Sequence, residues 1–162
     1  MNYRIAEPSD FKQLANLRWD FRMESGEEKA AFPRGEFVKK CVEFFESKNG
    51  GGYHVYWVAE EAGKIIAQVF VHIVDMIPRP CRIDDRFGYI TNDYTIPERR
   101  NQGIGTVLLG RVIEWARDED LELLIVYPSE RAVPFYERSG FSSENDVMEL
   151  KLREYYSEEW VK

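Results

Sequence analysis

The chain has 162 residues, 44% of them hydrophobic and 14% aromatic, with 29 acidic against 22 basic side chains. That length suits one domain burying roughly two-thirds of its unfolded surface, and the composition excludes a disordered chain. A net charge of −7 argues against nucleic acid as a general partner, because a phosphate backbone needs a basic face.

Near the start, residues 2–6 read as a short strand, but Arg4, Glu7 and Asp10 interrupt any signal-peptide core. Pro8-Ser9-Asp10 marks a helix start with Ser9 or Asp10 as N-cap. Phe11, Leu14, Leu17, Arg18 and Phe21 then share one helical face, so a first helix runs to about Glu24. A second helix is expected over residues 35–48, ended by Asn49-Gly50-Gly51-Gly52. Residues 53–60 and 64–74 are β-rich runs joined at Glu61-Ala62-Gly63, a hairpin signal. The second of these runs is apolar but carries Gln68 and His72 and is too short to span a bilayer.

After a loop with Pro78, Pro80, Asp84 and Asp85, residues 88–96 form the next strand, followed by a helix over about 102–119. Ile104, Val107, Leu108, Val112 and Trp115 make its apolar stripe. Residues 121–126, apolar apart from Glu122, suit a strand buried on both faces. Pro128-Ser129 leads into a short helix ended by Gly140, and residues 147–152 alternate as a strand that closes the sheet. The order β-α-α-β-β-β-α-β-α-β describes one α/β domain over 1–162 around a mixed sheet, with 153–162 a terminal helix or arm. Cys41 and Cys81, with His54 and His72, stand in no metal-ligand spacing. The thiols read as free and buried in a reducing, cytoplasmic compartment, and no metal is expected.

The chemistry lies after the fourth strand. Tyr94-Thr95-Ile96-Pro97-Glu98-Arg99-Arg100-Asn101-Gln102-Gly103-Ile104-Gly105-Thr106 runs from a strand through a basic, glycine-containing turn into a helix. Such a turn aims backbone N–H groups and the positive end of a helix dipole at an anion. It lacks the Gly-Lys-Ser/Thr ending of a nucleoside-triphosphate loop. It also follows the wrong strand for a dinucleotide fingerprint. Downstream stands Ala132-Val133-Pro134-Phe135-Tyr136-Glu137-Arg138-Ser139-Gly140-Phe141.

With these two motifs, spanning about a third of the chain, the sequence resembles the GNAT superfamily of N-acetyltransferases. The resemblance implies the GNAT acyltransferase fold and acetyl-CoA as cosubstrate. The coenzyme A pyrophosphate would rest on the backbone of Arg100, Asn101, Gln102, Gly103, Ile104, Gly105 and Thr106, with Arg99 or Arg100 assisting. Pantetheine would lie along Tyr94, Thr95 and Ile96, where the strand splays from residues 121–126. Ser129 stands where the family often has Asn.

Acetyl transfer to an amine then needs three services. A lysine-like amine, of pKa about 10.4, must lose a proton at a cost of about 4.6 kcal/mol near neutrality. Asp93, polar within a strand-like run, is the first candidate base, with Glu24, Asp75, His72 or water behind it. A backbone N–H near Tyr94 or Thr95 would face the oxyanion. Tyr136, as the family motif implies, would assist the departing thiolate, a role that depends on whether Pro134 opens its helix. Neither cysteine falls in the motifs, which points to direct transfer without an acyl-enzyme. The acceptor is a small-molecule or peptide amine, bordered by residues 19–34 and the loop of Asp84 and Asp85. A homodimer built on Tyr155, Tyr156 and Trp160 is a further expectation, and a non-catalytic acyl-CoA-binding module is the alternative.

Overall fold

The structure, a computed structural model, describes residues 1–26 and 32–144. It contains β1 (Asn2–Ile5), α1 (Phe11–Glu24), α2 (Arg34–Lys48), β2 (His54–Glu61), β3 (Lys64–Asp75) and β4 (Arg86–Thr95). Then follow α3 (Ile104–Asp118), β5 (Leu124–Val126) and α4 (Val133–Arg138). Two compact units are described in turn, Met1–Val126 and Tyr127–Lys162. The closing strand at 147–152 and the terminal segment lie outside the described residues.

In the first unit the five strands lie in chain order, β1-β2-β3-β4-β5. All neighbours are antiparallel except β4 and β5. Ala62 and Gly63, with φ of 50° and 79°, make the two-residue β2–β3 turn, whose mirror-image twist matches a right-twisted hairpin. Directly opposed residues share a face, so Tyr56 and Phe70 stand side by side, as do Gln68 and Tyr94. That face is covered by α1 and α2: Phe11, Leu14, Leu17 and Phe45 pack with Tyr56, Val58, Phe70 and Tyr94. Phe45 meets Phe11, Tyr56 and Phe70 at ring distances of 5.6, 4.9 and 5.6 Å in tilted or edge-on geometry. Such pairs add about 0.5–1.5 kcal/mol each beyond simple burial.

Helix α3 packs on β2, β3 and β4 with Ile104, Leu108, Leu109, Val112 and Ala116 buried. The apolar stripe is thus rotated from the expected one: Val107 is exposed and Trp115 half-buried against Trp57. Strand β5 is shorter than the apolar run suggested, and its residues are half-buried rather than enclosed on both faces. Cys81 is exposed and Cys41 half-buried, so the expectation of two buried thiols fails, although both are free. His72, one of the weaker base candidates, is exposed and stacked on His54 at 4.4 Å.

Candidate functional site

Strand β4 changes character halfway along. Gly88, Tyr89 and Ile90 pair with Leu124, Ile125 and Val126, and there the parallel ladder ends. Immediately afterwards Thr91 opposes Phe70 while Tyr94 opposes Gln68, so Asn92 and Asp93 face the single residue Val69. This is a β-bulge, and Asn92 takes the left-handed conformation at φ 53° that it needs. Asn tolerates that region better than other side-chain-bearing residues. The added residue puts Tyr94 on the α1 face, where its ring lies 5.6 Å from Phe21. Strand β4 continues five residues past Ile90, its last residue paired with β5, to Thr95.

The end of β4 carries the anion-facing turn. The Ile96 N–H is spent on the Ile66 carbonyl at 3.0 Å. By alternation, the N–H and carbonyl of Thr95 therefore lie on the opposite, β5-side edge. A short 3-10 turn follows at Pro97–Arg99, so α3 begins at Ile104, two residues later than expected. Asn101 and Gly103 are both left-handed, at φ 59° and 77°. Their conformations curl the chain so that the N–H groups of residues 101–106 have no hydrogen-bonded partner among the described residues. A Cβ at Gly103 would meet nothing within 4 Å, so it is the left-handed backbone rather than crowding that asks for glycine there. This row of N–H groups at the head of a 15-residue helix suits the acceptor oxygens of a pyrophosphate.

The two arginines are engaged elsewhere. Arg100 donates from Nε to the Thr95 carbonyl at 2.9 Å and from Nη2 to Glu24 at 2.6 Å, with its guanidinium 5.4 Å from the centre of the Tyr94 ring. Arg99 pairs with Glu61. Positive charge thus stands beside the turn while each guanidinium is balanced by a carboxylate. Burial, with Glu24 second, pushes the Tyr94 phenol up to about 12.

The structure therefore brings Tyr94, Thr95, Ile96, Arg100, Asn101, Gln102, Gly103, Ile104, Gly105 and Thr106 to one end of β4, with Asp93 half-buried on the bulge. Tyr94 contributes its backbone to the edge, since its side chain is only 6% exposed and belongs to the core. Glu24 is committed to Arg100 and Tyr94. Asp75 lies at the far end of β4, opposite Arg86, and accepts from the Tyr53 hydroxyl at 2.7 Å. Asp85, expected to border an acceptor, is buried and ion-paired to Arg79 at 2.7 Å. Asp84 and Asp85 both line a cavity of about 560 Å³ with Tyr53, Met76 and Ile83.

Ser129 and Tyr136 lie in the second unit. Ser129 is exposed and precedes a 3-10 turn at Glu130–Ala132, its carbonyl accepting from Ala132 at 2.8 Å. Pro134 falls in the first turn of α4, where its missing N–H costs nothing. Tyr136 is buried between Phe135 and Phe141, at ring distances of 5.1 and 5.3 Å.

Sequence reasoning missed Arg18 and Asn92. Arg18 Nη1 donates to Asn92 Oδ1 at 2.9 Å, joining α1 to the bulge. The available signal was a charged residue on the inward stripe of α1.

Among the described residues no group of His, Cys, Asp or Glu could hold a metal ion. No helix among them is long and apolar enough to cross a membrane.

The model of the acetyltransferase (GNAT) family matches residues 11–141. A predicted acetyltransferase from Clostridium acetobutylicum, crystallised with acetyl-CoA, is 30% identical with a TM-score of 0.77, covering 93% of this chain and 96% of that one. Glucosamine-6-phosphate N-acetyltransferase from Arabidopsis thaliana shares the fold at 23% identity and a TM-score of 0.69, covering 94% and 98%. A transcriptional regulator from Bacillus halodurans does so at 19% and 0.76, covering 93% and 99%. No curated protein matches. With the family model covering most of the chain and a relative 30% identical along 93% of it, the chain belongs to the GNAT acetyltransferase family.

Proposed function

We infer that the protein transfers an acetyl group from acetyl-CoA directly to a primary amine of a small molecule or peptide. The observation that carries this reading is the row of unengaged N–H groups at residues 101–106, set at the end of β4 just past its last pairing with β5. Acetyl-CoA, when bound, supplies an activated thioester. Residues 101–106 would hold its pyrophosphate through backbone N–H groups, and the pantetheine arm would lie along the β5-side edge of β4, where the Thr95 carbonyl already accepts from Arg100. The Thr95 N–H is the candidate oxyanion donor. Asp93, on the bulge beside that edge, is the candidate acceptor of the amine proton. Tyr136 is assigned the thiolate through its family motif, as a hydrogen-bond donor more than a strong acid, because a phenol near pKa 10 is about 1.5 units weaker than a thiol.

The test is calorimetry with acetyl-CoA followed by a thiol-release assay over a panel of polyamines, aminoglycosides, amino sugars and peptides. Binding and amine-dependent thiol release are expected. Binding without release across the panel would favour a non-catalytic acyl-CoA module, and absence of binding would overturn both readings.

A further inference from the structure

We propose that Arg18 is a positioning residue for acetyl transfer, acting through the left-handed backbone of Asn92; this assignment rests on the acetyltransferase reading above.

Asn92 is a buried strand residue held at φ 53°. Left-handed backbone is unfavourable for a residue with a side chain, less so for Asn than for others, and a contact on that side chain helps to hold it. The hydrogen bond that reaches its side chain comes from Arg18, 74 residues earlier in the chain. Its Nδ2 has no partner among the described residues, which leaves Oδ1 as the side chain's point of attachment.

The geometry of everything after the bulge depends on this residue. Side chains alternate with a period of two along a strand, so one added residue exchanges the two faces from that point onward. With Asn92 bulged, Tyr94 turns toward Phe21 on α1, and the Thr95 backbone edge faces away from β3. Without it, Tyr94 would leave the core and the Thr95 edge would turn toward β3. Arg18 belongs to α1, and Asn92 lies two residues past the last pairing of β4 with β5. The arginine thus sets the direction of the donor edge from outside that edge, and Phe21, one turn further along α1, repeats the contact on Tyr94.

The experiment compares Arg18→Met, which keeps the aliphatic stem, Arg18→Lys, which keeps one donor, and Asn92→Gly, which keeps the left-handed conformation without the acceptor. Thiol release, acetyl-CoA affinity, melting temperature and hydrogen–deuterium exchange across residues 90–96 are read for each. Arg18→Met and Asn92→Gly are expected to lower kcat by about 10- to 100-fold, as a misplacement near 1 Å does, with KM and acetyl-CoA affinity moving far less. The double variant should be no worse than the worse single one, because both remove the same contact. Arg18→Lys should recover part of the loss. Exchange at 90–96 should quicken in Arg18→Met whether or not an amine substrate is in hand. An unchanged kcat in folded Arg18→Met, or unchanged exchange at the bulge, would overturn the assignment. Wild-type protein without thiol release would overturn the acetyltransferase reading instead, while the exchange measurement still decides whether Arg18 holds the bulge.

Discussion

Glu24 and Arg100, 76 residues apart, meet at 2.6 Å and join the last turn of α1 to the turn that opens α3. The arginine that a sequence reading gives to the phosphate is thereby already neutralised. Both side chains are a third or more exposed, so the pair contributes at most about 1 kcal/mol to stability. Glu24→Gln is therefore expected to change melting little. Leaving the Arg100 charge uncompensated beside the N–H row should tighten acetyl-CoA binding about two- to threefold at low salt, a gain that screening removes at high salt. Calorimetry at two ionic strengths checks this; weaker binding at both would refute it.

Gly88 sets how closely β5 can approach. A Cβ there would sit 2.5 Å from Leu124 Cδ2, 3.1 Å from Val71 Cγ1 and 3.3 Å from Leu121 Cδ1. Gly88→Ala should cost about 1–3 kcal/mol in urea denaturation, as overpacking of a filled core does. A variant of wild-type stability would show that β5 moves aside freely.

Two buried phenols contribute to the alkaline limb of stability. Burial raises Tyr56 to about 12, and burial with Glu24 does the same for Tyr94, against 10.0 for an ordinary tyrosine. The folded chain holds these protons more tightly than the unfolded one. Their contribution is intact below pH 10 and is lost as the pH climbs through about 12. Tyr56→Phe should flatten that decline in denaturant titrations, and an unaltered slope would contradict it.

At the acid end the sign reverses. Burial, then His72 and then Lys48 hold His54 below its usual 6.5. The unfolded chain binds that proton more readily, so the contribution of His54 is intact above pH 6.5 and falls as the pH drops below it. His54→Gln should remove this part of the acid decline while leaving the alkaline limb in place. Equal acid sensitivity in variant and wild type would refute the assignment.

The legible parts of this protein are those written in local chemistry. Ala62-Gly63 announced its hairpin, the glycines at 103 and 105 announced a donor-lined turn, and Pro134 opened its helix as a first-turn proline can. What escaped depends on partners distant in sequence. Nothing in Thr91-Asn92-Asp93 signals a bulge, because the extra residue exists only relative to Phe70 and Gln68. The rotated stripe of α3, with Leu109 inward and Val107 outward, reflects where a twisted sheet meets the helix rather than any periodicity in the helix itself. Asp85 looked available for a substrate because its partner Arg79 lies across the loop's own fold. Arg99 and Arg100 looked free for a phosphate for the same reason: Glu61 and Glu24 are remote in the chain.

Strand order follows chain order, and the parallel joint is the one between β4 and β5. A parallel joint cannot be closed by a tight turn; it needs a crossover. Here the crossover is the stretch that carries the donor turn and α3, so the segment that completes the sheet is also the one to which the proposed function gives the coenzyme A pyrophosphate. Folding and occupancy are therefore thermodynamically linked at this crossover: any ligand held by the turn stabilises the closure of the sheet, by an amount set by its concentration over its dissociation constant.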